Sequence, residues 1–186
     1  KDFTKTHPYL IGQIRIDKNS LDFPDVQAGE KPVMHIGVVN LSDRPYEPVL
    51  MHLPPYLQTE VKPNVLQKGE KGVITVTLDS ERLTDFGLTQ SSVYLARFAG
   101  DKVGDENEIP VSAILLPDFS GMSDTEKANA PVVNLSIKDI DMSTALAKKS
   151  KARQDIVITN TGRSPLQISK LQAVSYTHLR AHETVL

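Results

Sequence analysis

The chain is predicted to be all-β: one complete immunoglobulin-like β-sandwich followed by a truncated second module. Three observations carry that prediction. Short apolar segments with two-residue alternation follow one another between Gly12 and Pro117, separated by turn residues, as strands do when one face meets a core. Twelve prolines fall at segment borders and turns, where a missing N–H costs a sheet least. Finally, Val38-Val39-Asn40-Leu41-Ser42-Asp43-Arg44-Pro45 returns 120 positions later as Ile158-Thr159-Asn160-Thr161-Gly162-Arg163-Ser164-Pro165. A strand–turn unit recurring at domain-sized spacing marks a tandem array of small modules. The lead-in Leu21-Asp22-Phe23 is likewise echoed by Ile140-Asp141-Met142.

Taken in order, residues 1–11 read as a linker from a preceding module, its His7-Pro8 favouring extended backbone. Strands are expected at Gln13–Ile16 and Leu21–Phe23, with Ala28-Gly29 turning the segment Val26–Lys31. Val33–Asn40 alternates, placing Met34, Ile36 and Val38 on one side and His35 and Gly37 on the other. Ser42-Asp43-Arg44-Pro45 turns into Glu47–Leu53, and Leu57–Val61 follows the break at Pro54-Pro55. Lys68-Gly69-Glu70-Lys71-Gly72 turns into Val73–Leu78, where Ile74, Val76 and Leu78 share a face. Ser80 is expected to cap a short helical turn. Ser92–Phe98 and Ile109–Leu116 complete the sandwich of residues 12–117, with Pro110 assigning the last strand to an edge or a bulge.

Residues 118–130 are polar and read as a linker. Residues 131–173 supply strands at Val132–Leu135, Asp155–Thr159 and Leu166–Leu171, a segment too short to close a sandwich alone. Residues 174–186 resemble a translated sequencing adapter and are read as non-native. Within them His178 and His182, at i, i+4 beside Glu183, imitate zinc-ligand spacing. The adapter reading takes precedence over a metal site.

Composition excludes several function classes. The 186 residues carry a net charge of −2 with pI near 6.2, which gives no electrostatic footprint for nucleic acid. The apolar run Ala113-Ile114-Leu115-Leu116 is far shorter than the roughly 18 residues of a membrane span. Cysteine is absent, so a disulfide framework, a thiol nucleophile and a cysteine metal site are excluded within these residues. The chain begins at Lys1 without an initiator Met or signal peptide and reads as an interior fragment.

Candidate chemistry is sparse. Asp101, Asp105, Glu106 and Glu108 cluster in one loop and are the candidate calcium ligands, although the alternating spacing and fixed glycine of a calcium loop are missing. A solvated hairpin tip is the preferred reading. Tyr46 and Tyr56 are the candidate ligand-binding residues, a thin aromatic platform for sugar in a chain without Trp. Packing at the edge of the core is preferred for both. Gly69–Thr75 lacks the Gly-Lys-Ser/Thr ending of a phosphate loop and leads into a strand. The basic run Lys148–Arg153 has no aromatics nearby and reads as a solvated loop. His7, His35 and His52 come without a Gly-x-Ser-x-Gly elbow. Asn40-Leu41-Ser42 and Asn134-Leu135-Ser136 fit the glycosylation triplet.

Several of these strings resemble the bacterial family known as domain of unknown function fifteen seventy-three, whose modules are similar to Hydin-type, sperm-protein-like immunoglobulin folds. The matching residues are Leu21-Asp22-Phe23 with Ala28-Gly29-Glu30, Val39-Asn40, Gly69–Thr77, Val93-Tyr94-Leu95 and Leu116-Pro117-Asp118-Phe119. Ile158–Gly162 with Ser164–Ile168 is the most recognisable string. The resemblance implies an exported, extracytoplasmic protein of the periplasm or cell surface, commonest in Bacteroides-like bacteria, with no assigned activity. Modules of that family often carry Cys-Gly-Cys after the strand matching Leu166–Val174; here the adapter-like stretch begins there, and the first unit has Met51-His52-Leu53-Pro54 instead. The expectation is a non-catalytic structural or protein-interaction module, without cofactor, that engages protein partners by edge-strand addition. The alternative is an accessory ligand- or glycan-binding module of a larger surface protein.

Overall fold

In the computed structural model, which describes residues 2–148 and 151–168, the alternation along Val33–Asn40 is strand geometry: Ile36 and Val38 are fully buried while His35 is exposed. The chain divides into two units, Lys1–Pro117 and Asp118–Leu186. The first is all-β. Its strands are β1 (Tyr9–Ile11), β2 (Ile14–Ile16), β3 (Leu21–Asp22), β4 (Val33–Asn40), β5 (Val49–Met51), β6 (Leu57–Lys62), β7 (Lys71–Leu78), β8 (Gly87–Ala96) and β9 (Glu108–Leu115).

They form a five-stranded sheet in the order β1-β2-β4-β7-β6 and a four-stranded sheet in the order β3-β9-β8-β5. All pairings are antiparallel except β3 with β9. One apolar cluster joins Ile14, Ile36, Ile74 and Leu78 of the first sheet to Leu21, Leu95, Ile109 and Val111 of the second. That makes a sandwich, with the inward residue of every second position between the sheets. Full burial of each such side chain contributes about 1.5–3 kcal/mol before entropy is counted.

Several expectations change in detail. Residues 1–11, expected as a linker, contribute β1, and Phe3 and His7 are buried. His7 lies over the bare backbone of Gly37, and the Lys71 ammonium stands over the Phe3 ring. The strand expected at Ser92–Phe98 begins earlier and ends earlier, at Gly87–Ala96. The short 3₁₀ turn Ser80–Arg82 is capped by Asp79, whose carboxylate accepts from the Glu81 N–H. Ser80 is itself buried, with no partner for its hydroxyl among the described residues. β9 is an inner strand, but β3 pairs with it only from Val111 onward. Pro110 therefore sits just outside the stretch that β3 covers, where a missing N–H is tolerated.

Two turns have the same chemistry. In Gln27-Ala28-Gly29-Glu30 and Gln67-Lys68-Gly69-Glu70 the glycines have φ of 96° and 74°, the left-handed value that the third residue of a type II turn requires. In each, the Glu N–H donates to the Gln carbonyl, and the Glu carboxylate accepts from the Gln N–H at 2.8 Å.

In the second unit, α1 (Asp124–Asn129) occupies the stretch expected as a linker. Ser123 and Glu126 close it with reciprocal bonds between side chain and backbone. β10 (Val133–Leu135) and β11 (Ile158–Asn160) pair antiparallel, and α2 (Ser143–Lys148) lies between them in sequence. Residues 155–157 and 166–168 are not strands. The expected strand residues 169–171, part of the basic run (149 and 150), and 174–186 with His178, His182 and Glu183 lie outside the described residues.

Candidate functional site

Asn40 is completely buried and fully used. Its Nδ2 donates to the carbonyls of Arg44 (2.7 Å) and Leu66 (2.8 Å), and its Oδ1 accepts from the Ser42 N–H (2.8 Å). The side chain thus fastens the β4–β5 turn to the loop before β7. The Asn40 glycosylation triplet is inaccessible in this fold, whereas Asn134 is exposed.

The acidic loop does not gather into a cation site. Asp101 turns inward and accepts two bonds from the Arg97 guanidinium, at 2.8 and 2.7 Å, and a third from the Arg97 N–H. Glu108 accepts from the Ser92 hydroxyl, and Asp105 and Glu106 belong to a 3₁₀ turn. Among the described residues no group of three or more acidic or histidine side chains is arranged to hold a metal. The side-chain bonds from Arg97, aided by its N–H and opposed by burial, hold the Asp101 carboxyl at about 2 against an ordinary 3.8. The same pairing pushes the Arg97 guanidinium upward. A lowered folded-state value stabilises the fold fully above 3.8, and the effect fades as pH falls toward 2. Asp101→Asn is therefore expected to lower Tm at neutral pH, and its deficit against the parent should shrink below about pH 4. Melts across that range check this; a deficit independent of pH would contradict it.

The two tyrosines do not form one platform. Tyr56 is buried in the core, lies beside the Leu78 end of β7 and donates to Ser91 Oγ at 2.5 Å. Tyr46 bridges Leu66 near the opposite end and donates to Gln13 Oε1 at 3.2 Å. Tyr46 lines an open depression of about 390 Å³ with Gln13, Asp43, Arg97 and Phe98. The Arg97 guanidinium is committed to Asp101 and stands 5.3 Å from the Phe98 ring.

His7, His35 and His52 are equally dispersed. Burial, then the nearby Lys71 charge, pushes the His7 imidazole below its ordinary value, against an opposing pull from Asp17. His35 lies exposed on β4 beside the Thr75 hydroxyl, and His52 follows β5 in the other sheet. His52 takes a φ of 60° and lays its ring 5.2 Å from that of Tyr94. No nucleophile–base pair emerges from these placements.

What the first unit does present is an edge. β6 borders the five-stranded sheet and is its longer border strand, with six residues against three in β1. The Asp79 N–H donates to the Tyr56 carbonyl, and Gln58, Glu60 and Lys62 face Thr77, Thr75 and Val73 in the same phase. Main-chain groups alternate in direction along a strand. Those of Thr59 and Val61 therefore point away from β7, and no main-chain partner for them exists among the described residues. Prolines 54, 55 and 63 bracket the strand, and Glu60 pairs with Lys62 at 2.9 Å, devices that limit indiscriminate edge pairing. No helix among the described residues is long and apolar enough to cross a membrane.

No family model and no curated protein matches the chain. Among solved structures, a protein of unknown function from Porphyromonas gingivalis W83 is similar over 67% of this chain and 56% of that one, with 19% identity and a TM-score of 0.51. This chain thus spans little more than half of that relative. A PapD-like domain of human CEP192 aligns over 57% of this chain and 87% of its own, at 10% identity and a TM-score of 0.38. A Vibrio cholerae protease, VesB, aligns over 55% and 32%, at 13% identity and a TM-score of 0.34. At 19% identity the likeness to the Porphyromonas protein concerns the fold alone, and one fold hosts many functions.

Proposed function

We propose that the first unit is a non-catalytic protein-interaction module that accepts a partner strand along the outer edge of β6. The observation that carries this reading is the open main chain of Thr59 and Val61 on β6, the longest border strand of the sandwich. Strand addition draws affinity from main-chain bonds and selectivity from alternate side chains, which here are those of Gln58, Glu60 and Lys62, alternating with Thr59 and Val61. The dispersal of the acidic, tyrosine and histidine side chains supports a role without catalysis or cofactor. Membership of the bacterial family named above, and with it an exported protein working outside the cytoplasm, is part of the same proposal. It is supported by the strings Leu21–Phe23, Gly69–Thr77 and Ile158–Gly162.

Peptides displayed on phage and selected on the chain are expected to be extended sequences with apolar residues at alternate positions. Thr59→Pro removes an N–H that β7 does not use, so it should leave Tm nearly unchanged and abolish capture. Equal capture by this variant, with the fold intact, would overturn the assignment to β6.

A further inference from the structure

The second unit reproduces the register and most of the turn bonds of the first along two strands; Asn160 Oδ1 additionally accepts from the Val132 N–H at 3.1 Å. Ile14, Arg15 and Ile16 face Asn40, Val39 and Val38; Val133, Asn134 and Leu135 face Asn160, Thr159 and Ile158. The Leu41 N–H donates to the Gln13 carbonyl, and the Thr161 N–H to that of Val132. A side-chain oxygen of Asp17 accepts from the Gly37 N–H at 2.9 Å, as that of Ser136 does from the Val157 N–H at 2.8 Å. Asn160 repeats Asn40, donating to the carbonyl four residues on (Ser164, 2.8 Å) and accepting from the N–H two residues on (Gly162, 2.9 Å). Gly162 replaces Ser42 because a Cβ there would meet the Ala130 carbonyl oxygen at 2.3 Å.

The difference lies on the other edge. In the first unit β7 fills the outer side of β4: Val38 faces Gly72, the Asn40 N–H donates to the Glu70 carbonyl, and Asn40 Nδ2 reaches the Leu66 carbonyl. Among the described residues nothing occupies the corresponding side of β11. The Thr161 N–H donates to the Val132 carbonyl and the Val157 carbonyl accepts from the Ser136 N–H, main-chain groups flanking β10, so the main-chain groups of Ile158 and Asn160 point outward. Positions that are core in the first unit are bare in the second. Ile14 and Ile16 are 2% and 0% exposed, while Val133 and Leu135 are 38% and 43% exposed.

We infer that the outer edge of β11 is a strand-accepting site. Its occupant is an extended polypeptide segment of the β7 type: antiparallel, with a small residue facing Ile158, apolar residues at alternate positions after it, and a preceding carbonyl for Asn160 Nδ2. This shares only the mode of contact with the proposed role of β6 and stands on a different edge.

The probe is a labelled synthetic peptide with the sequence Leu66–Asp79 of this chain, titrated against the whole chain. The expected result is saturable binding with new hydrogen-exchange protection of the Ile158 and Asn160 amides. Ile158→Pro, which removes an outward N–H, should weaken binding by about tenfold or more. A peptide N-methylated at its Gly72 amide should weaken it similarly against the unaltered protein, independently of any folding defect. Absence of binding, equal binding of the methylated peptide, or protection confined to Thr59 and Val61 would overturn the inference. The last outcome would leave the β6 reading standing, whereas loss of capture at β6 alone would leave this one intact.

Discussion

Asn40→Ala is expected to be among the most damaging single substitutions in the first unit, lowering stability by about 3–5 kcal/mol and Tm by roughly 15 °C. The truncation removes three bonds and strands two main-chain groups, the carbonyl of Arg44 and the N–H of Ser42, while the Leu66 carbonyl keeps only the bond from the Tyr46 N–H. Asn40 has no exposed surface, so water cannot replace the lost partner without opening the turn, and each unpaired buried group carries its desolvation cost. Asn40→Asp should do no better, because it keeps the acceptor, loses both donors and buries a charge. The equivalent Asn160→Ala, at an exposed position, should cost no more than about 1 kcal/mol. Chemical denaturation of the three variants checks the account. A loss for Asn40→Ala no larger than that for Asn160→Ala would show that burial is not what makes the residue matter.

The second large effect belongs to the pair Ile36 and Ile74, which face each other across β4 and β7 and are both completely buried. Ile36→Ala removes three carbons from a close-packed interior and should cost about 2–5 kcal/mol, against about 0.5–1.5 for Ile36→Val. Because the two side chains touch the same space between the sheets, Ile36→Ala with Ile74→Ala should depart from additivity by at least about 0.5 kcal/mol. Urea unfolding with an unchanged slope is the appropriate readout. Strict additivity would mean that the two residues line separate parts of the interior.

The layered architecture was legible because burial in a sandwich imposes a period of two, and Val33–Asn40 and Val73–Leu78 show it plainly. The recurrence of Asn40 as Asn160 was also visible, and it held the clue to the turn-fastening side chain. The Asn-Leu-Ser triplet says nothing of burial; the place of Asn40 and Asn160 between strand and turn in both repeats pointed to a shared local bonding pattern. Strand β1 escaped because Tyr9-Leu10-Ile11 has no polar residue between apolar ones to mark an alternation. Gly87–Ser91 escaped because Gly, Gln and Ser have little strand preference of their own, and only pairing with β9 holds them extended. The cap shifted by one residue, from Ser80 to Asp79, where either side chain is chemically competent. Helix α1 had the Ser123–Glu126 box written in its sequence, but no apolar run followed to announce a helix. The twin turns at Gln27–Glu30 and Gln67–Glu70 were readable as a repeated tetrapeptide. The open edges were not, because which strand borders a sheet depends on pairings between segments far apart in the chain.

Amide hydrogen exchange along β6 in the unliganded chain tests the interaction-edge reading most directly. The account predicts alternation: Gln58, Glu60 and Lys62, whose N–H groups face β7, are protected, while Thr59 and Val61 exchange at nearly the rate of free peptide. Uniform protection across Leu57–Lys62 would show that the edge is already covered, and would contradict the claim that this sandwich presents it to a partner.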